Sequence, residues 1–205
     1  MVNPKHAEFF YNLGIPVVIG YGLTEACTVV TLNDLKPFRA DSVGCPLPGI
    51  EVRVAQPDAN GIGEVQIQGP TVMLGYLDDP VQTAEVFEKG WLHTGDQGKM
   101  DGTGHLHLVG RSKNMIVTAG GKNVYPEDIE SVFEELPCKE FVVMASNYVW
   151  PTTKLGKDCL LGVVHLQEDS SSFAEALRVK NLSLPDYKRL RGLVIWKEDF
   201  PRTAS

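Results

Sequence analysis

Residues 91–130 constrain this chain more than any other stretch: WLHTGDQGKMDGTGHLHLVGRSKNMIVTAGGKNVYPEDIE. An acid sits in Thr94-Gly95-Asp96, and Asp101-Gly102-Thr103-Gly104 follows with the residues of a tight turn. The alternating His105-Leu106-His107-Leu108 then leads to Gly110-Arg111. The pattern predicts two antiparallel strands with an acid and a base at the edges of the pair. An acid and a base so placed can clasp a sugar: a carboxylate in a buried loop accepts from vicinal hydroxyls, and arginine offers several fixed donors. The plain alternative is an ordinary Asp96–Arg111 ion pair across a hairpin. Beyond Arg111 a Gly120-Gly121 turn runs into a helix opened by Pro126, with Glu127 and Asp128 in the first turn, where the helix dipole favours acids. This second half reads as built to move.

The rest of the chain falls into three styles. At the start, Asn3 and Pro4 are an N-cap and a first helical position, so residues 4–13 form a short helix with Ala7, Phe10 and Tyr11 on its apolar face, ended by Gly14. Pro16-Val17-Val18-Ile19 reads as a buried strand that stops at Gly20-Tyr21-Gly22, the kind of strand end where open α/β sheets hold ligands. Residues 42–109 are strand-rich and punctuated by glycine, with alternation in Glu51-Val52-Arg53-Val54 and Glu64-Val65-Gln66-Ile67, which predicts a small barrel or sandwich. Val81 to Phe87 is a short helix within it. After Arg111 the pattern is α+β. Met115-Ile116-Val117 is a strand, and Ile129, Val132, Phe133 and Leu136 form a helical stripe. Strands follow over residues 141–145, 160–166 and 193–196, with a helix over 173–180 and a polar tract at 169–172. The boundary falls near 110–113, giving regions 1–110 and 111–205, the first divided into an α/β part at 1–40 and a β-rich part at 41–110.

Composition narrows the function classes. At 43% hydrophobic and 22% charged, the 205 residues can bury a sizeable core. Acids outnumber bases 26 to 19, a net charge of −7, which argues against nucleic acid as a partner because that needs a basic footprint. Cys27, Cys45, Cys138 and Cys159 lack C-x-x-C spacing, so free thiols in a reducing compartment are expected, not a zinc ribbon. Neither a leader-like start nor an apolar run of membrane-spanning length is legible, and a cytoplasmic location is expected.

Several motifs invite stronger readings. Gly20-Tyr21-Gly22-Leu23-Thr24-Glu25 fails as a dinucleotide fingerprint, since Glu25 stands where the third glycine would be and would repel a pyrophosphate. A divalent cation reverses that repulsion, because magnesium takes one or two carboxylates plus phosphate oxygens. Thr24 then offers a hydroxyl to phosphate and Tyr21 a ring face to a base. A strand-to-helix turn with a solvated glutamate is the plain alternative, and the two stay open on this motif. Gly121-Lys122 and Gly156-Lys157 lack the glycine before and the Ser or Thr after that a phosphate loop needs. His105 and His107 share a strand face without a third ligand, and are expected to be exposed strand histidines.

Together these motifs resemble the adenylate-forming superfamily: acyl-CoA synthetases, luciferases and adenylation domains of peptide synthetases. The residues that carry the resemblance are Tyr21-Gly22-Leu23-Thr24-Glu25, Gly63-Glu64-Val65-Gln66-Ile67-Gln68-Gly69 with Gly75-Tyr76, Thr94-Gly95-Asp96, Gly110-Arg111, and Gly120-Gly121-Lys122-Asn123-Val124-Tyr125-Pro126 with Glu130. From Phe9 to Glu25 and from Lys113 to Glu130 the flavour is most similar to long-chain fatty acyl-CoA ligases. The resemblance implies a mixed α/β fold: the C-terminal part of the large adenylating domain over 1–110, ending in a β-rich barrel subdomain, then a small mobile α+β domain over 111–205. It implies ATP or AMP, magnesium and coenzyme A as cofactors, and a carboxylic acid, a fatty acid, as substrate. Peripheral membrane contact of the parent enzyme and the oligomeric state stay open.

By the same resemblance Tyr21 packs on adenine, Gly22 belongs to the same nucleotide-binding turn, Thr24 touches phosphate and Glu25 holds magnesium. Asp96 binds the ribose hydroxyls and Arg111 contacts the ribose side. Lys113 is the hinge about which the small domain swings between adenylating and thiolating poses, and Gly120-Gly121 lines the pantetheine tunnel. The family's phosphate loop would stand upstream of Tyr21, and its catalytic lysine beyond Phe200-Pro201-Arg202-Thr203-Ala204-Ser205. Neither is in the sequence, so the expectation is a C-terminal piece of an acid–thiol ligase, inactive by itself. The rival readings are an adenylating enzyme that loads a carrier-protein phosphopantetheine and a non-catalytic interaction module.

Overall fold

In the computed structural model, residues 3–118, 120–149, 159–166 and 172–202 are described. Gly156-Lys157, most of the polar tract at 169–172, and Thr203-Ala204-Ser205 lie outside them. The chain divides into two compact units, Met1–Lys113 and Asn114–Ser205.

The first unit opens with helix α1 (Pro4–Asn12). Asn3 caps it by accepting a hydrogen bond from the Lys5 amide at 3.0 Å, and Gly14 at φ 78° lets the chain leave. Of its expected apolar face only Ala7 is buried; Tyr11 stacks on Phe38 and Phe10 stays exposed. Residues 16–19 do not form the predicted buried strand: Val18 is exposed, and Ile19 alone is buried, its carbonyl accepting the Asn33 amide at 2.8 Å. A strand needs a neighbour, and ladder pairing begins only at Gly20, opposite Leu32. Strands β1 (Gly20–Tyr21), β2 (Thr31–Leu32) and β3 (Cys45–Pro46) make a small antiparallel sheet.

A larger antiparallel sheet follows, built from β4 (Glu51–Ala55), β5 (Gly63–Gln68), β6 (Phe87–Glu88), β7 (Trp91–Met100) and β8 (Leu106–Arg111). Helix α2 (Pro80–Val86), capped by the Asp79 carboxylate, leads into β6. Strand β7 is the spine, pairing with β5, β6 and β8. Val65 and Ile67 alternate into a core with Tyr21, Ala26, Val30, Ile50 and Leu106. Each of its valine, isoleucine and leucine side chains contributes about 1.5–3 kcal/mol when fully buried.

The turn between β7 and β8 is fastened by Asp101, whose Oδ1 accepts from the amides of Thr103 (2.8 Å) and His105 (3.0 Å) while Oδ2 meets Arg39 at 2.7 Å. Hydrogen bonds from Thr103 and His105 hold this carboxyl far below the usual range. His105 is buried, not exposed as the alternation suggests: it precedes β8, with Nδ1 3.0 Å from the Thr103 hydroxyl and 3.5 Å from Cys45 Sγ. The turn folds it inward, which a two-residue period cannot register.

The second unit begins with a hairpin of β9 (Ile116–Val117) and β10 (Asn123–Val124). Helix α3 (Pro126–Phe133) packs on β11 (Cys138–Ala145). After the short α4 (Ser146–Val149) comes β12 (Leu160–Leu166), then α5 (Phe173–Ser183) and β13 (Gly192–Trp196). Strand β12 is central, antiparallel to β11 and parallel to β13. Its run is buried nearly end to end, as a continuous apolar strand requires, and α5 provides the crossover that a parallel pair needs. The stripe expected on α3 is buried at Ile129 and Phe133, continues to Leu136, and meets Leu160, Val164 and Phe173. Glu130 sits among these apolar neighbours, its carboxylate accepting the Val143 amide at 2.8 Å, and burial pushes its carboxyl above the usual range. Among the described residues no helix is long and apolar enough to cross a membrane.

Candidate active site

The predicted acid–base pair is formed. Asp96 in β7 lies opposite Arg111 in β8, and Arg111 Nε is 3.1 Å from Asp96 Oδ1. The other carboxylate oxygen accepts the Tyr21 hydroxyl at 2.7 Å, a contact spanning 75 positions of sequence. Asp96 and Tyr21 are both 8% exposed, whereas more than half of the Arg111 side chain is open to solvent. Burial pushes the Tyr21 phenol far above its ordinary range, and the bond to Asp96 adds to the shift. Tyr21 therefore acts as a donor to the carboxylate. Each carboxylate oxygen retains an acceptor site beyond its present partner.

A bulge places Asp96 there. Glu64 pairs with Gln97 and Gln66 with His93, so Val65 alone faces Thr94, Gly95 and Asp96. Gly95 takes φ 70° at the bulge, a left-handed value that a Cβ would strain. The Thr94 hydroxyl donates to the Val65 carbonyl at 2.7 Å and accepts the Asp96 amide at 3.1 Å.

Glu25 lies in a 3-10 turn, Thr24–Ala26. Its carboxylate accepts the Tyr76 hydroxyl at 3.0 Å, and its carbonyl accepts the Met73 amide at 2.7 Å. Burial, then the bond to Glu25, pushes the Tyr76 phenol up. Thr24 is exposed on the same turn. Gly22 is obligatory for steric reasons: a Cβ there would sit 1.6 Å from the Thr28 carbonyl oxygen. Glu25 and Tyr76 line a cavity of about 300 Å³ whose walls include Leu23, Leu92, Thr94 and Gly95. An oxygen donor with one hydrogen-bond partner, open to a cavity, fits a hard cation such as magnesium.

Two residues of this wall, Glu64 and His93, meet in a way that their motifs do not show. Glu64 joins the His93 ring, 2.7 Å from Nδ1, to the Gly95 amide at 3.2 Å, clamping the bulge from the cavity side. A polar residue of β5 facing a histidine of β7 could be found only with the register known. Lys113 is exposed in a second 3-10 turn, Ser112–Asn114, which Gln97 holds through the Ser112 hydroxyl at 2.5 Å. Gly120 and Gly121 stand exposed at the tip of the β9–β10 hairpin, with Gly121 at φ 69° and its amide donating to the Thr118 carbonyl at 2.8 Å. They belong to the second unit, whereas Tyr21, Gly22, Thr24, Glu25, Asp96 and Arg111 are all in the first.

The family model for "AMP-binding enzyme" matches residues 1–77. A human long-chain-fatty-acid–CoA ligase, ACSBG1, is 43% identical over 139 residues, 67% of this chain and 19% of that protein. The chain belongs to the AMP-binding, adenylate-forming superfamily. A chicken long-chain-fatty-acid–CoA ligase, ACSBG2, is 42% identical over 135 residues, covering 65% of this chain and 18% of its own length. The chain thus spans about a fifth of the length of these curated relatives. Among solved structures, o-succinylbenzoate CoA synthetase from Bacillus subtilis with its acyl-adenylate intermediate matches at TM-score 0.85 and 25% identity, over 98% of this chain and 41% of that one. ATP-bound MatB from Rhodopseudomonas palustris matches at TM-score 0.80 and 30% identity, over 99% and 41%. The mixed α/β fold is that of the C-terminal part of an adenylating domain.

Proposed function

We propose that these residues serve an ATP-dependent acid–thiol ligase that converts a fatty acid to its acyl-adenylate and then to the coenzyme A thioester. The observation that carries the reading is the Asp96 carboxylate, buried and held at both oxygens, one residue beyond the Gly95 wall of the cavity that Glu25 lines. The fatty-acid assignment draws on relatives named as long-chain-fatty-acid–CoA ligases.

In this reading Asp96 accepts the ribose hydroxyls of ATP with the lone pairs left by Tyr21 and Arg111, and Arg111 lies along the ribose. Tyr21 offers its ring to adenine, Gly22 keeps the turn tight, and Thr24 donates to an α-phosphate oxygen. Glu25 would hold magnesium, which when bound offsets the negative charge that develops on the phosphate. The substrate carboxylate attacks the α-phosphorus, its new P–O bond replacing the one to pyrophosphate. The thiol of coenzyme A then attacks the acyl carbonyl and AMP departs. The break between the two compact units at Lys113–Asn114 supports Lys113 as the pivot between these steps. The exposed Gly120-Gly121 tip lines the thiol's path.

The test is ATP–pyrophosphate exchange beside thioester yield in the full-length protein, with fatty acids and with coenzyme A or a phosphopantetheinyl carrier as acceptor. Glu25→Gln should suppress exchange strongly while leaving the fold intact. Undiminished exchange would overturn the assignment of Glu25, and thioester formed only on the carrier would overturn coenzyme A as acceptor.

A further inference from the structure

We propose that Glu140, His165 and Asp199 form a binding site for a divalent transition-metal ion, zinc above all, on the sheet of the second unit. The site is separate from the nucleotide residues and does not depend on their reading. Glu140 in β11 stands directly opposite His165 in β12, and Asp199 follows three residues after the end of β13, which pairs with β12 through His165 and Trp196. One ligand atom from each of the three lies within 4.8 Å of the others.

The histidine carries the argument. His165 is 8% exposed, and its Nδ1 is buried without a hydrogen bond. An Asp199 carboxylate oxygen nevertheless stands only 3.2 Å from that nitrogen. The distance suits a hydrogen bond, so it is the direction that fails: the oxygen lies off the axis along which Nδ1 presents its hydrogen or lone pair. That geometry suits a shared cation. An ion about 2.1 Å from each atom would see them at an angle of about 100°, within the range of tetrahedral coordination. Left without an ion, the buried nitrogen has only the poorly aligned Asp199 carboxylate to offset its desolvation.

Glu140 is already oriented for the role. The Phe200 amide donates to one of its oxygens at 2.8 Å and the Arg202 guanidinium to the other. Each oxygen keeps a further lone pair, and such outer hydrogen bonds are what usually fix a ligating carboxylate. The donor set, one imidazole nitrogen and two carboxylates, selects zinc, cobalt or nickel over magnesium and calcium, which take oxygen ligands. The Arg202 charge beside the site lowers its affinity for a cation. Occupancy would pin the run from Asp199 to Arg202 onto β11 and β12.

Isothermal titration of this chain with zinc chloride tests the site, with cobalt(II) absorption reporting geometry. The expected result is saturable binding and ligand-field bands of low-symmetry cobalt, with no heat from magnesium or calcium. Asp199→Asn, at a side chain 85% exposed, should leave the fold intact and weaken zinc binding by about tenfold or more. His165→Ala should remove it. No saturable binding at millimolar zinc would overturn the proposal and leave His165–Asp199 as an ion pair. So would binding that survives Asp199→Asn, which would locate the ion elsewhere, for instance at Cys45 and His105.

Discussion

Two hairpins of this molecule carry predicted site residues, and they are built to different standards. The β7–β8 hairpin contains the spine strand of a five-stranded sheet, β7, and its Asp96 is locked by Tyr21, Arg111 and Thr94. The β9–β10 hairpin has two residues per strand, with Ile116 and Val124 anchored in the core of the second unit and its glycine tip exposed. The first holds a charge at a fixed place, because many cross-strand partners share any displacement. The second ties down its base and leaves its tip able to yield. In the proposed two-step ligase the first would be the cradle that stays and the second the edge that yields.

The comparison breaks first at Asp96. In the full-length protein Asp96→Ala should lower acyl-adenylate formation by about two to three orders of magnitude, the usual effect of losing one preorganised electrostatic contact. Exchange kinetics that stay within a few-fold of the parent would show that this hairpin is scaffold alone. Next comes Lys113→Pro, which fixes φ in the turn at the break between the units. Thioester yield should fall by about tenfold or more while pyrophosphate exchange persists; an equal fall in both would remove the pivot assignment.

The two glycine positions sharpen the contrast at smaller scale. Gly22→Ala forces a Cβ to within 1.6 Å of the Thr28 carbonyl, so backbone must shift, at about 1–3 kcal/mol in urea unfolding, with weakened AMP binding. Gly121→Ala meets no atom within 4 Å, and only its φ of 69° opposes it. Its cost should be about 1–2 kcal/mol, felt as faster amide exchange in the β9–β10 hairpin and not in β7–β8. If Gly121→Ala loosened the larger hairpin as well, the two would not be independent.

Much of this was legible in the sequence because it is local. The stripe of Ile129, Phe133 and Leu136, the Asn3–Pro4 helix start and the Asp101 turn each follow from a few neighbouring residues. The Asp96–Arg111 pair was legible as residue types on two strands joined by a tight turn, but not in its register: the turn alone would set Asp96 opposite Gly110, and an irregularity between Gln97 and Gly98 moves it to Arg111. Residues 16–19 misled because β-branched residues favour extension without supplying a partner. His105 misled because a turn overrode its alternation.

By itself, then, the sequence determined most of the helices and longer strands, the family, and which residue types could meet a nucleotide. Tertiary structure alone decided that Tyr21 would donate to Asp96, that Glu64 would clamp His93 to Gly95, and that Glu140, His165 and Asp199 would converge. The physical reason is range. Propensity, capping and turn chemistry act over a few residues, whereas these contacts depend on strand register and packing across tens of positions.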